Sequence, residues 1–118
     1  AARAYGLAIL AGAPNLVCGR SHSGNVAAAE LAQHDLLDIL SSDYVPAALL
    51  HAAVLLHTQV GWPLPAAMAT VTATPADRAG LEDRGEIAPG HRADLLRVRL
   101  VDGLPVIRAV WRLGQRIV

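Results

Sequence analysis

The sequence predicts an α/β chain whose residues 1–80 alternate short strands and helices and whose residues 81–118 are all-β. Three observations predict it. Apolar runs of strand length alternate with Ala-rich helical runs over short connections, the pattern of a parallel α/β sheet. After Leu81 the pattern becomes two apolar strands around an Asp102-Gly103 hairpin turn. The composition also allows a buried core, with 53% of the 118 residues apolar and 17% charged.

Taken in order, Ala1 to Leu10 is Ala/Leu-rich and predicts a helix that stops at Gly12-Ala13-Pro14. Asn15 to Cys18 is a short apolar run that suits a buried strand. Gly19 to Gly24 is a polar loop, and Asn25 is a good N-cap for an Ala-rich helix from Val26 to Gln33. His34 and Asp35 mark a turn. Leu36 to Leu40, apolar apart from Asp38, predicts a second buried strand that Ser41-Ser42-Asp43 ends.

A helix is expected from Pro46, since Pro suits a first helical turn, running to Gln59 and stopping at Gly61. Pro63 to Thr72 predicts a further helix and Pro75 to Gly80 a short one. Gly85, Pro89 and Gly90 set up turns. Asp94 to Val101 and Pro105 to Leu113 then read as strands, with Gln115 to Val118 a last short one. Aromatic residues are few, so the core must be built from Ala, Leu, Val and Ile.

Two parallel strands with three or four helices make a poor independent domain, because parallel strands are normally buried on both faces. Either the chain pairs with copies of itself, as a homo-oligomer, or it belongs to a larger sheet. The start, Ala1-Ala2-Arg3, lacks an initiator Met and reads like mid-helix, so an upstream part is expected.

Ten basic residues, all Arg, balance ten acids. A neutral chain without a basic block gives no electrostatic reason to expect nucleic acid as a partner. Charged residues, Gly or Pro interrupt every apolar run before it reaches a membrane span. A lone Cys18 cannot form an internal disulfide and suits a reducing compartment, so the cytoplasm is the expected location. Inside an apolar run, Cys18 itself reads as a buried small hydrophobe.

Five histidines are scattered, with no His-x-His or His-Glu-x-x-His spacing. His51 and His57 share a predicted helix but lie about 120° apart around it. His34, His51, His57 and His91 are therefore expected to face solvent or cap backbone, and no complete metal site is encoded. Asp43 stands apart. It follows the C-terminal end of an apolar strand, the edge where α/β barrels place their chemistry. Its rival reading as a helix N-cap is weakened because Pro46 puts that cap at Val45.

Ser21-His22-Ser23-Gly24-Asn25 also precedes a helix. Its hydroxyls, imidazole and helix N–H groups suit an anionic phosphate, with Arg20 adding charge. A capped turn with no ligand is the alternative. The glycines around Glu86 to Pro89 read as turn-makers, and Asp94 is expected to cap a neighbouring backbone. Leu49, Leu50, Ala53, Val54 and Val60 form a core-facing stripe.

Pro75-Ala76, Gly80-Leu81, Asp83-Arg84-Gly85, Ile87, Gly90 and Ala93-Asp94-Leu95 together resemble the C-terminal signature of the amidohydrolase superfamily. Gly12-Ala13-Pro14-Asn15, Ser21 to Val26, Leu36 to Tyr44 and Val110 to Arg116 resemble its phosphonate-catabolising members, which serve the carbon–phosphorus lyase route. The resemblance implies strands seven and eight of a metal-dependent (β/α)8 barrel over residues 1–80. Residues 81–118 would belong to a small β-sandwich domain.

It further implies a hydrolase that removes pyrophosphate from a phosphonate-bearing ribose 5-triphosphate, a phosphorylated small molecule. Asp43 would be a metal ligand and would accept a proton from the water that attacks phosphorus. Ser21, His22, Ser23 and Asn25 would meet the phosphates. The divalent ion, zinc or similar, would be held mainly by an N-terminal part of the same enzyme, so this chain alone is expected to be inactive. Two rivals stand beside this reading: an amidohydrolase for cyclic amides or a deaminase, and a non-catalytic interaction or oligomerisation module.

Overall fold

The computed structural model describes residues 1–18 and 27–118. Its centre is a parallel pair, β1 (Leu10–Gly12) and β2 (Ile39–Ser41), in register Leu10↔Ile39, Ala11↔Leu40 and Gly12↔Ser41. The start of the pair is clamped by Asp38. Its carboxylate accepts from the Ile9 amide at 2.7 Å, and the Ile9 carbonyl accepts from the amides of Asp38 and Ile39 at 2.9 and 3.1 Å. The α/β alternation with a parallel pair matches the expectation, but the first strand lies elsewhere.

The helix expected over Ala1 to Leu10 is only a 3-10 turn, Ala2–Tyr5, closed by Gly6 at φ 68°. Pairing with β2 draws Leu10–Gly12 into a strand against its local Ala/Leu propensity. Gly12-Ala13-Pro14 therefore begins a helix instead of ending one. Pro14 is the second residue of α1 (Ala13–Cys18), a position where its missing amide costs nothing. The strand expected at Asn15 to Cys18 is thus helical, burying Ala13, Pro14 and Leu16 against the neighbouring helix. Cys18 ends α1 exposed, not buried.

The next helix, α2 (Ala28–Gln33), follows the expected run; its expected cap, Asn25, lies outside the described residues. The side chain of Asn15 accepts from the Ala28 amide at 3.2 Å, satisfying one of the unpaired amides at that helix start. After β2 the chain turns through Ser42–Val45 into α3 (Ala48–Leu55), which passes into a π-helical segment, Leu56–Val60. Gly61, at φ 92°, stops it as the sequence implied.

Two short helices follow, α4 (Leu64–Ala69) and α5 (Ala73–Arg78). The α3 helix buries Ala48, Ala52, Ala53 and Val54 around its circumference, as a central helix should. It lies against α1, α4 and β2. The core is Ala13, Leu16, Ala28, Ala32, Leu37, Leu40, Ala48, Ala52, Leu56 and Ala67. Small residues let these short helices approach closely.

The tail folds as expected into an antiparallel sheet of β3 (Leu95–Val101), β4 (Leu104–Arg112) and β5 (Gln115–Arg116). Asp102 and Gly103, at φ 51° and 77°, have the positive φ of a tight hairpin turn. A register shift between Arg97 and Val98 marks a bulge in the β3–β4 pairing. Asp94 caps as expected: its carboxylate accepts from the Leu113 amide at 2.8 Å and holds the β4–β5 turn. Gly85, at φ 100°, passes so near α5 that an added Cβ would stand 2.8 Å from Ala76 Cβ. Among the described residues no helix is long and apolar enough to cross a membrane.

Candidate active site

Because β1 and β2 run parallel in register, their carboxyl ends open on the same edge. That edge is where open α/β sheets bind ligands, outside the strand ends. Asp43 follows β2 by two residues and sits in the turn closed by Val45 N donating to Ser42 O at 3.0 Å. Its backbone is left-handed, at φ 51°. Asp is among the few L-residues that tolerate this region.

The side chain is exposed, and its carboxylate lies over Gly12 at the end of β1. A Cβ built on Gly12 would stand 3.1 Å from Oδ2, 3.5 Å from Cβ and 3.7 Å from Cγ of Asp43. Among the described residues Asp43 has no hydrogen bond or ion pair. A carboxylate so placed is a free acceptor facing solvent at the strand mouth. It does not cap α3, whose N-cap is Ala47.

Asp38, at the opposite end of β2, shows what a structural carboxylate looks like in the same strand. Arg3 donates to its Oδ1 at 2.8 Å while Ile9 N donates to Oδ2. Partial desolvation works against its ionisation. The Ile9 and Arg3 hydrogen bonds, with the charges of Arg3 and Arg78, outweigh that and hold its carboxyl below the usual carboxylate range.

The other expected site residues, Ser21, His22, Ser23 and Asn25, lie outside the described residues, so only Asp43 of that set is positioned. The remaining histidines stay apart from it. His34 is the C-cap of α2. His51 sits on α3, and the Nδ1 of His57 lies 2.7 Å from Trp62 O. His91 lines a cleft of about 310 Å³ with Ala73, Asp77, Leu81, Glu82, Arg84 and Glu86, and its Nδ1 is buried without a partner.

Among the described residues no group of three His, Cys, Asp or Glu side chains is arranged to hold a metal ion. Asp43 is a single carboxylate, able to bind a cation through one or both oxygens but not to form a site by itself. Sequence reasoning missed Gly12, which it read as part of a helix stop and which instead ends β1 beneath Asp43.

The amidohydrolase family model matches residues 14–106. The chain is 51% identical over 119 aligned residues to the alpha-D-ribose 1-methylphosphonate 5-triphosphate diphosphatase of Escherichia coli K12. That alignment covers 99% of the chain and 32% of the relative. It is 38% identical over 61 residues to the imidazolonepropionase of Deinococcus deserti, covering 45% of the chain and 15% of that relative. The chain thus spans at most about a third of the relatives' length. No solved structure matches it.

Proposed function

Since this chain belongs to the amidohydrolase family, we propose that it is the C-terminal segment of a metal-dependent diphosphatase. That enzyme releases pyrophosphate from α-D-ribose 1-methylphosphonate 5-triphosphate in phosphonate catabolism. The observation that carries the reading is Asp43, an unengaged carboxylate at the shared mouth of two parallel strands. The 51% identity to the E. coli diphosphatase supports the substrate class.

Residues 1–80 would supply strands seven and eight of the barrel, with β1 and β2 in those places. Residues 81–118 would supply part of the β-domain. The main buried cluster lies within residues 13–67, and the tail sheet rests on it where β4, with Ala109 buried, meets α3.

In this mechanism the Asp43 carboxylate orients a water and takes its proton as that water attacks phosphorus. With one oxygen given to the metal ion, the other would remain to accept the proton. Ser21, His22, Ser23 and Asn25 bind the phosphate chain through hydroxyl, imidazole and amide donors. A divalent ion, when bound, supplies electrophilic assistance at phosphorus. Asp43 would give one ligand oxygen, and the rest of the donor set would come from other parts of the enzyme. The segment alone then has no turnover.

The test uses the full-length enzyme. Pyrophosphate release from the ribose triphosphate should require divalent metal, and Asp43→Asn should lower kcat by roughly 10²–10⁴ while the protein stays folded. Normal rates in Asp43→Asn would overturn the proton-acceptor role. The imidazolonepropionase similarity favours a rival substrate class, but it covers less than half of the chain. Turnover of cyclic amides without pyrophosphate release from the triphosphate would decide for that rival.

A further inference from the structure

We infer that Gly12 is a positioning residue for Asp43, its missing side chain forming the seat of the carboxylate. The inference rests on Asp43 being the proton acceptor. Glycine inside a strand is unfavourable and asks for a reason. Backbone conformation is not that reason. Gly6, Gly61, Gly80, Gly85, Gly90, Gly103 and Gly114 have positive φ, and Gly12 does not. What Gly12 offers is space.

An added methyl would come 3.1 Å from Asp43 Oδ2, closer than ordinary van der Waals contact. Gly12 is paired to Ser41 in the parallel register, so its backbone cannot easily withdraw. The Asp43 side chain would have to give instead. Among the described residues no hydrogen bond or ion pair fixes that carboxylate. Among the described residues, its own left-handed turn and the bare β1 backbone are what lie against it. Displacing a proton acceptor by a fraction of an ångström toward solvent misaligns it with the attacking water.

Two measurements on the full-length enzyme test this. Turnover of Gly12→Ala should show kcat reduced roughly 10- to 100-fold, with KM changed less than about twofold, because the phosphate contacts are assigned to other residues. Thermal unfolding of Gly12→Ala, Asp43→Gly and the double variant forms a cycle that reads the contact without activity. Gly12→Ala should raise the melting temperature in the Asp43→Gly background, where only the strand preference for Ala over Gly acts, and should lose that gain when Asp43 is present.

Should Gly12→Ala fail to fold, the double variant is expected to restore folding, and its failure to do so would overturn the inference. Additive melting shifts would overturn it too. So would wild-type kcat in Gly12→Ala alongside an inactive Asp43→Asn. If Asp43→Asn itself turned over normally, the acceptor reading would fall. The unfolding cycle would still report whether the two residues meet.

Discussion

Gly12 and Asp43 meet across the carboxyl ends of the two parallel strands, glycine on β1 and a left-handed aspartate two residues past β2. Left-handed backbone costs an L-residue about 1–2 kcal/mol, less for Asp than for most. A turn chosen for stability alone would take Gly or Asn there. Asp43→Gly relieves that strain, offset by about 0.4–1 kcal/mol of unfolded-chain entropy. The expected outcome in the full-length enzyme is an unchanged or higher melting temperature with turnover lost. A large fall in melting temperature would mean that Asp43 is structural.

Asp38 should behave in the opposite way. It accepts from Ile9 N at 2.7 Å and from Arg3 at 2.8 Å, at the half-buried start of the strand pair. Asp38→Asn weakens a charge-assisted backbone hydrogen bond, a loss of about 1–2 kcal/mol. Arg3 is 45% exposed, so solvent screening makes the ion pair the lesser part. Melting temperature should fall while kcat per folded molecule is kept.

The same carboxylate predicts an acid limb in stability. Asp38 titrates below its ordinary value when folded, with burial opposed by stronger hydrogen bonds and cationic neighbours. Asp94 does so too, through the Leu113 amide first and then Arg92. The unfolded chain takes up these protons first as pH falls. Their contribution is therefore complete above the ordinary carboxylate pKa of about 4 and is lost as pH drops through the lower folded values. Melting temperature measured from pH 6 downward should hold and then decline. Asp38→Asn should flatten that decline, and an unaltered slope would contradict the assignment.

How much of this was legible in the sequence follows from how local each cause is. The hairpin at Asp102-Gly103, the Asp94 cap and the Gly61 stop each rest on a few neighbouring residues, and each appears where expected, whereas the second strand, expected over Leu36 to Leu40, is Ile39–Ser41. The first strand departs further. Leu10-Ala11-Gly12 carries a helical composition, and only its pairing with Ile39–Ser41, clamped by Asp38, makes it extended. Placing that strand earlier turns Pro14 from a stop into a start and converts Asn15 to Cys18 into helix. Asp43 could be picked out by its place after a strand. The need for Gly12 beside it could not, since that contact joins residues far apart in the chain.

Gly85 offers a sharp test of the family-like turn after α5. An added Cβ would lie 2.8 Å from Ala76 Cβ, 3.0 Å from Ala73 Cα and 3.1 Å from Thr72 O, with the backbone at φ 100°. Two of those atoms are backbone and cannot rotate away. Gly85→Ala should cost about 3 kcal/mol or more, from overpacking and positive φ together. Gly90, at φ 86°, has open space where its Cβ would go. Gly90→Ala should therefore cost only about 1 kcal/mol, the conformational part alone. Similar losses for both in denaturant unfolding would refute the close packing against α5.

The β3–β4 pair leaves Leu96, Leu100 and Ile107 at 45–54% exposure on one face. Large apolar surface of this kind on a sheet marks a face that another surface covers. The chain spans only 32% of the E. coli relative, so the proposed remainder of the enzyme is the natural cover. Purified by itself, the 118-residue chain should use that sheet to associate with its own copies. Sedimentation should show mass rising with concentration, and Ile107→Glu should reduce the association because a buried charge opposes it. A chain that stays monomeric at all concentrations, with Ile107→Glu changing nothing, would mean that this sheet needs no covering surface.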